Sequence, residues 1–189
     1  MRLPATIRRI VLTGFMGAGK STVGPLLAQR LGWDFLDVDT AIESRAGKTV
    51  AEIFAESGES AFRALEAEAI RDHAHLDNLV LALGGGAVEN ASTRELLAHV
   101  DQTCVLFLDA PLDVLVARCL NQTGASARPV LADREKLLSR LNARLPHYRA
   151  AHLTVTTAED SPQKVVTHIV QALAPRCVQG KTAKGVPTR

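Results

Sequence analysis

The segment Gly14-Phe-Met-Gly-Ala-Gly-Lys-Ser21 limits what this chain can fold into more than any other feature. It matches the phosphate-loop pattern G-x-x-x-x-G-K-[ST] in full. The apolar run Ile10–Leu12 precedes it, as a buried strand should, and a helical pattern with one apolar face follows from Thr22 to Leu31. This strand–loop–helix context distinguishes a phosphate loop from a chance glycine turn.

The residue types of the loop indicate its chemistry. Glycines let the backbone wind back so that successive N–H groups point at an anion, and the following helix adds unpaired N–H groups and its dipole. Lys20 supplies positive charge for the terminal phosphates, and the Ser21 hydroxyl can contact Mg²⁺. The predicted ATP-binding residues of this segment are Gly14, Gly17, Ala18, Gly19, Lys20, Ser21 and Thr22.

Composition favours one soluble domain. The chain has 189 residues, of which 47% are hydrophobic, enough to bury a substantial core. No apolar run reaches membrane-spanning length, and the start of the chain lacks the layout of a signal peptide. We therefore expect a cytoplasmic enzyme without a membrane partner.

The net charge of +2 is unevenly spread. Residues 175–189 contain four basic residues and no acidic one, so the rest of the chain carries −2. Residues 1–174 thus lack the basic excess typical of nucleic-acid binding. The tail 175–189 contains Gly and Pro and shows no periodicity, which predicts disorder, with a partner-binding tail as the alternative.

Five apolar strand candidates alternate with helical patterns along the chain. They are Ile7–Thr13, Trp33–Asp37, Leu79–Leu83, Thr103–Asp109 and His152–Thr156. This alternation predicts an α/β fold with a parallel sheet covered by helices on both faces. Ligands of such folds lie at the carboxyl ends of the strands, so the residues there are the functional candidates.

Two carboxylates follow the second predicted strand. Asp37 and Asp39 are two positions apart, so in extended chain both would face the same way. Asp37 would serve Mg²⁺, and Asp39 would accept a proton or hydrogen bond from a substrate hydroxyl. The alternative is that Asp39 only caps the next helix, but Thr40 and Glu43 have the spacing of a complete capping box.

Three consecutive glycines, Gly84, Gly85 and Gly86, follow the third predicted strand. Bare backbone can approach a ligand closely and offer N–H donors. A simple turn accounts for the pattern equally well.

A carboxylate interrupts the apolar stripe of the helix predicted around residues 59–75. Glu66 lies within this stripe and needs a partner, which Arg63 can provide from three residues earlier. Either the two form a structural ion pair, or Glu66 holds Arg63 in place to bind an anionic substrate.

The helical pattern stops over residues 121–132, a small and polar segment that ends in Arg128-Pro129-Val-Leu131. We predict a lid here, with Arg128 as a candidate for closing over a γ-phosphate. Arg144 lies on the following helix, where the pattern alone does not distinguish it from Arg140 or Arg149.

Together these motifs resemble those of the shikimate kinase family. The matching segments are Gly14–Thr22, Asp37–Asp39, Ile53-Phe54, Gly58-Glu59, Phe62-Arg63, Leu83–Ala87, Arg128–Leu131 and Arg144–Tyr148. They fall within residues 10–162, nearly the whole chain outside the tail. The phosphate loop alone would identify only a superfamily, whereas the whole set is specific.

The resemblance implies a fold and an activity. The fold is a nucleoside-monophosphate-kinase-like three-layer sandwich with a five-stranded parallel sheet of order 2-3-1-4-5, forming one domain over residues 1–174. The activity is transfer of the γ-phosphate of ATP to the 3-hydroxyl of shikimate, a step of aromatic amino acid biosynthesis. Mg²⁺ is the implied cofactor, and we expect a monomer.

The resemblance also assigns the nucleotide side of the site. Lys20 and Ser21 serve the phosphates and Mg²⁺, and Asp37 serves the metal. Arg128 is the lid arginine, and with Lys20 and Asp39 it makes up the catalytic set. The residues implied to lie beside adenine are Arg118 and the segment Thr156–Pro162.

On the substrate side, the resemblance implies that Asp39 contacts the reacting hydroxyl. Arg63 and Arg144 bind the shikimate carboxylate, and Gly84–Gly86 offer backbone. The lid is a few residues longer than expected, and the tail 175–189 has no counterpart.

Two other functions share some of these features. A kinase for another small polyol acid, such as gluconate, would have the same loop and fold. A nucleotide-dependent switch would have the loop but no use for a substrate pocket of Asp39, Arg63 and Arg144.

Overall fold

The computed structural model describes residues 6–121 and 133–174 and the backbone of residues 177–178. The strands are β1 Thr6–Ile7, β2 Arg9–Thr13, β3 Asp34–Asp37, β4 Leu79–Ala82, β5 Thr103–Asp109, β6 Leu153–Thr156 and β7 Cys177–Val178. The helices are α1 Lys20–Leu31, α2 Val38–Ala46, α3 Val50–His73, α4 Ala91–His99, α5 Leu112–Leu120, α6 Arg134–Arg149 and α7 Pro162–Leu173, with a short 3₁₀-helix at Ala87–Glu89.

The main sheet has the strand order β3-β4-β2-β5-β6, and all its strands are parallel. Numbered along the chain within this sheet, the order is 2-3-1-4-5, which confirms the expected topology. The phosphate loop follows β2, the central strand, so it lies in the middle of the carboxyl edge. The ends of β3 and β4 lie on one side of it, and those of β5 and β6 on the other.

Helices cover both faces of the sheet, as the alternating pattern predicts. Successive residues of β2 point into different cores: Ile10 and Leu12 pack under α1, α5, α6 and α7, whereas Val11 packs under α2, α3 and α4. Because parallel strands are buried on both faces, the centre of β2, Ile10–Leu12, is apolar without alternation. Within the described ranges, no helix combines the length and the apolar character needed to cross a membrane.

Two features at the chain ends differ from expectation. The predicted strand Ile7–Thr13 is interrupted at Arg8, whose backbone N–H donates to the carbonyl of Gln102 at 2.9 Å. Its first part, Thr6–Ile7, pairs in parallel with Cys177–Val178 in a separate two-stranded sheet. Those two residues belong to the tail predicted to be disordered, and the rest of the tail lies outside the described residues.

Helix α3 is longer than predicted and is kinked. Its first half, from Val50, begins with the capping box of Thr49 and Glu52. Gly58 breaks the helical geometry with φ 77° and ψ 174°, values that favour glycine. The second half then starts in a new direction and carries Arg63 and Glu66 toward the carboxyl edge of the sheet.

Helix α1 lies unusually close to strand β3. A Cβ atom on Gly24 would lie 2.3 Å from Cε2 of Phe35, well inside van der Waals contact. Packing against Phe35 therefore requires glycine at position 24, although glycine weakens a helix interior.

We predict that Gly24→Ala destabilises the protein by about 1–3 kcal/mol because the added methyl group overpacks this contact. At an uncrowded helix position the same change would stabilise by about 0.5–1 kcal/mol. Urea unfolding of Gly24→Ala, Phe35→Leu and the double variant measures the coupling. We expect Gly24→Ala to cost little once Phe35 is shortened, and additive losses would contradict the packing explanation.

Candidate functional site

The phosphate loop adopts the conformation that its glycines predict. Gly14, Gly17 and Gly19 all have positive φ, at 147°, 77° and 95°. A Cβ atom on Gly17 would lie 2.4 Å from the carbonyl oxygen of Leu115, so the loop also sits too close to α5 for a side chain. Gly19, the N-cap of α1, has no side chain to satisfy the first-turn N–H groups, which suits an anion there.

The side chain of Lys20 lies across this loop. Its Nζ donates to the carbonyl oxygens of Gly14 at 2.7 Å and Phe15 at 3.1 Å. Removal from water lowers the pKa of Lys20 to about 8, although Asp39 and Asp37 act in the opposite direction. The ammonium group therefore loses its proton in mildly alkaline solution, where an exposed lysine keeps it.

The carboxylate of Asp37 links the loop to the second strand. Its Oδ2 accepts from the Ser21 hydroxyl at 2.7 Å, and its Oδ1 accepts from the backbone N–H of Asp39 at 3.1 Å. Asp37 is thus the N-cap of α2, and the predicted capping box of Thr40 and Glu43 is wrong. Helix α2 starts directly at the end of β3, and Glu43 instead accepts from the backbone N–H of Val50 at 2.9 Å.

Two buried carboxylate oxygens face the first glycine of the turn. A Cβ atom on Gly84 would lie 2.2 Å from Oε1 of Glu66 and 3.0 Å from Oδ1 of Asp39. Both oxygens are buried without a hydrogen-bond partner among the described residues. Burial raises the pKa of Asp39, with a further contribution from Asp37, and burial also raises the pKa of Glu66. Each carboxylate is therefore a better proton acceptor than an exposed one.

Arg63 lies over the last glycine of the turn. Its Nη1 donates to Oε2 of Glu66 at 2.7 Å, and its Nη2 donates to Oε1 of Glu59 at 3.0 Å. A Cβ atom on Gly86 would lie 2.2 Å from Nη2. Arg63 and Glu66 therefore form the expected ion pair, and the pair borders the glycine turn. Binding of an anionic substrate by Arg63 stays a prediction.

Among the three arginines of α6 that the pattern left open, Arg144 points into the protein, whereas Arg140 and Arg149 are exposed. The Nη2 of Arg144 donates to Oε2 of Glu89 at 2.8 Å, and its guanidinium carbon lies 5.7 Å from the centre of the Phe15 ring. Its Nε is buried without a partner in the described part of the chain. The Nε–H group of Arg144 is thus available to a ligand.

Tyr148 has a role in the site that the sequence motif did not reveal. Its hydroxyl donates to the carbonyl oxygen of Gly85 at 2.5 Å, and its ring stacks on Phe107 with centroids 5.1 Å apart. Tyr148 follows Arg144 by four residues, so one face of α6 delivers both. That spacing is the signal that could have predicted it.

Two cavities meet at the phosphate loop. One, of about 310 Å³, is lined by Arg118, Thr157 and Pro162. Arg118 is fixed there through Nη1, which donates to the hydroxyl of Thr157 at 2.9 Å, and Nη2, which donates to the Thr157 carbonyl. The other, of about 170 Å³, is lined by Lys20, Ser21, Asp37, Asp39, Gly84 and Gly85. Residues lining both cavities are Gly17, Gly19 and Thr22.

The structure therefore brings together nearly every predicted site residue that it describes. Arg128 and almost all of the predicted lid lie outside the described residues. An anion-binding loop at the centre of a parallel sheet lies between a cavity of about the size of a nucleotide base and a carboxylate-lined pocket, and Arg63 and Arg144 lie beside the adjoining glycine turn. This arrangement defines a phosphate-loop kinase acting on a small molecule.

Comparisons with known proteins identify the family. The family model described as shikimate kinase matches residues 16–174. Shikimate kinase from Symbiobacterium thermophilum is 43% identical over 175 residues, covering 90% of this chain and 99% of the relative. Shikimate kinase from Geobacter sulfurreducens is 44% identical over 172 residues, covering 89% and 92%. Shikimate kinase from Acinetobacter baumannii in complex with shikimate superposes with a TM-score of 0.82 at 36% identity, covering 90% and 94%. The chain belongs to the shikimate kinase family.

Because the pKa of Lys20 is lowered to about 8, we predict that nucleotide affinity falls in mildly alkaline solution. The protonated ammonium attracts the phosphates, and the fraction protonated decreases about tenfold per pH unit above the pKa. Calorimetric titration with a non-hydrolysable ATP analogue should show a loss of roughly tenfold or more from about pH 7.5 to about pH 9.5.

Lys20→Arg provides the control, since a guanidinium keeps its charge throughout this range. We expect Lys20→Arg to bind the ATP analogue more weakly than the parent but with the same affinity at every pH in this range. If the affinity of Lys20→Arg fell with pH as steeply as that of the parent, a group other than Lys20 would cause the pH dependence.

Proposed function

We propose that the protein transfers the γ-phosphate of ATP to the 3-hydroxyl of shikimate, in the pocket between the phosphate loop and the glycine turn. One observation carries the assignment of the pocket. Asp39 keeps a buried acceptor oxygen and Arg144 a buried donor nitrogen, both without a partner among the described residues, and the two side chains border the turn at Gly84 and Gly85. A rigid acceptor with a hydroxyl at one end and a carboxylate at the other would satisfy both.

The nucleotide occupies the loop and the larger cavity in this proposal. Backbone N–H groups of Gly14–Thr22 and the ammonium of Lys20 bind the phosphates, and the base lies beside Arg118 and Thr157. Arg128, assigned by its motif, adds charge over the γ-phosphate from the lid. Phosphoryl transfer asks mainly for such positioning and charge neutralisation.

The residues present fit a magnesium ion. Mg²⁺ prefers hard oxygen ligands and is usually held by one or two carboxylates together with phosphate oxygens and water. The Ser21 hydroxyl and the Asp37 carboxylate lie 2.7 Å apart at the end of the loop and would hold it. When bound, the ion neutralises charge on the terminal phosphates.

On the acceptor side, Arg63 and Arg144 bind the carboxylate of shikimate. A guanidinium suits this role because its planar fork matches a carboxylate and stays charged. Glu66 keeps Arg63 in position through the 2.7 Å ion pair. Asp39 accepts the proton of the 3-hydroxyl, and its raised pKa favours that transfer.

We also propose that the protein acts as a cytoplasmic monomer without a nucleic-acid partner. The absence of a basic excess in residues 1–174, which carry a net charge of −2, supports the part of this proposal that concerns nucleic acid. ADP release measured with shikimate, with gluconate and with neither tests the acceptor. Release that depends on shikimate is expected; equal release with gluconate would contradict the assignment.

Arg144→Ala is predicted to raise the KM for shikimate by about ten- to a hundredfold and to leave the KM for ATP almost unchanged. A charge-assisted hydrogen bond contributes about 1.5–3 kcal/mol, and about 1.4 kcal/mol is tenfold. Arg140→Ala, an exposed change one turn earlier on the same helix, is the matched control. An unchanged KM for shikimate in Arg144→Ala would refute its role.

For Asp39→Asn we predict a fall in kcat of about a hundredfold or more, the usual contribution of a general base. In the parent, kcat/KM should fall as the pH falls through the raised pKa of Asp39, since the protonated carboxyl cannot accept a proton. This fall in kcat/KM at low pH should be absent in Asp39→Asn. It should remain in Asp101→Asn, an exposed control before β5. A nearly normal kcat in Asp39→Asn would mean that residue 39 only orients the hydroxyl.

A further inference from the structure

We propose that Glu89 competes with the substrate for Arg144, and that it thereby limits the affinity for shikimate and speeds release of the phosphorylated product. The inference rests on the proposed function, in which Arg144 binds the substrate carboxylate. Nothing in the sequence motif assigns Glu89 a role, and the ion pair joins residues 55 positions apart.

The two partners of this ion pair differ in exposure. The side chain of Arg144 is 8% exposed, whereas that of Glu89 is 43% exposed. The arginine is therefore held inside the site, and the glutamate reaches it from solvent. An exposed carboxylate regains water when it leaves its partner, so displacement of Glu89 carries little penalty.

The backbone at Glu89 is anchored separately from its side chain. Its N–H donates to the carbonyl of Gly86 at 2.9 Å, and Nη1 of Arg94 donates to its carbonyl at 2.7 Å and to that of Val88 at 2.8 Å. The carboxylate can therefore swing away from Arg144 while the 3₁₀-helix and the glycine turn keep their positions.

Glu89 also accepts from the nitrogen of Arg144 that both bidentate arrangements of an incoming carboxylate use. A carboxylate binds a guanidinium bidentately either through both Nη atoms or through Nε and Nη2. Nη2 belongs to both arrangements, and Glu89 accepts from it at 2.8 Å, while Nε has no partner within the described residues. A substrate carboxylate bound in either way must share Nη2 with Glu89 or displace it.

Charge makes sharing unfavourable. Two carboxylates on one guanidinium lie within a few ångströms of each other and repel, although water at the exposed Glu89 weakens the repulsion. The phosphorylated product keeps the carboxylate and so meets the same competitor. Glu89 thus opposes tight binding of substrate and product alike.

Glu89→Gln tests the proposal, since it keeps the shape and removes the charge. We expect the KM for shikimate and the inhibition constant of its 3-phosphate to fall about three- to tenfold, and the KM for ATP to stay unchanged. The difference from the parent should shrink at high salt. Glu95→Gln, an exposed change on α4, is the matched control and should leave all three constants unaltered.

Two outcomes would overturn the proposal. The first is an unchanged or raised KM for shikimate in Glu89→Gln. The second is a raised KM in Glu89→Ala, which would show that Glu89 orients Arg144 instead of competing for it. A normal KM for shikimate in Arg144→Ala would refute the proposed role of Arg144 instead, so the two failures are distinguishable.

Discussion

Charge held at the carboxyl edge of a parallel sheet is the constraint on which this structure depends. Lys20, Arg63 and Arg144 converge there with the carboxylates of Asp37, Asp39 and Glu66. Partial burial of so many charges is tolerable because groups of opposite charge lie close together. Within the described residues, three of the five buried polar atoms without a hydrogen-bond partner belong to Asp39, Glu66 and Arg144, whose side chains border the glycine turn. These unpaired atoms point to the turn as the place where a ligand binds.

The glycines convert this charge cluster into a pocket. Side chains at Gly84 and Gly86 would occupy the positions now taken by the Glu66 carboxylate and the Arg63 guanidinium. The glycine turn therefore works by leaving space for the side chains of α3, in addition to presenting backbone. One face of α6 places Arg144 and Tyr148 beside Gly85.

The sequence predicted what depends on local pattern or motif and missed what depends on distant contacts. The phosphate loop, the five main strands and the pairing of Arg63 with Glu66 follow from spacing, and the strand order followed from family resemblance. The capping box at Thr40 was wrong because Asp37, at the strand end, begins α2 earlier. The four-residue spacing from Arg144 places Tyr148 on the same face of α6, but its contact with Gly85, like that of Glu89 with Arg144, joins residues 63 and 55 positions apart. No local pattern encodes such partners.

The most direct test of this account is a crystal structure of the protein with shikimate and ADP. The account predicts that the substrate carboxylate contacts Arg63 and Arg144, and that the 3-hydroxyl lies within hydrogen-bond distance of Asp39 and faces the end of the loop at Lys20. A carboxylate bound away from both arginines, or a 3-hydroxyl turned away from Asp39, would contradict it.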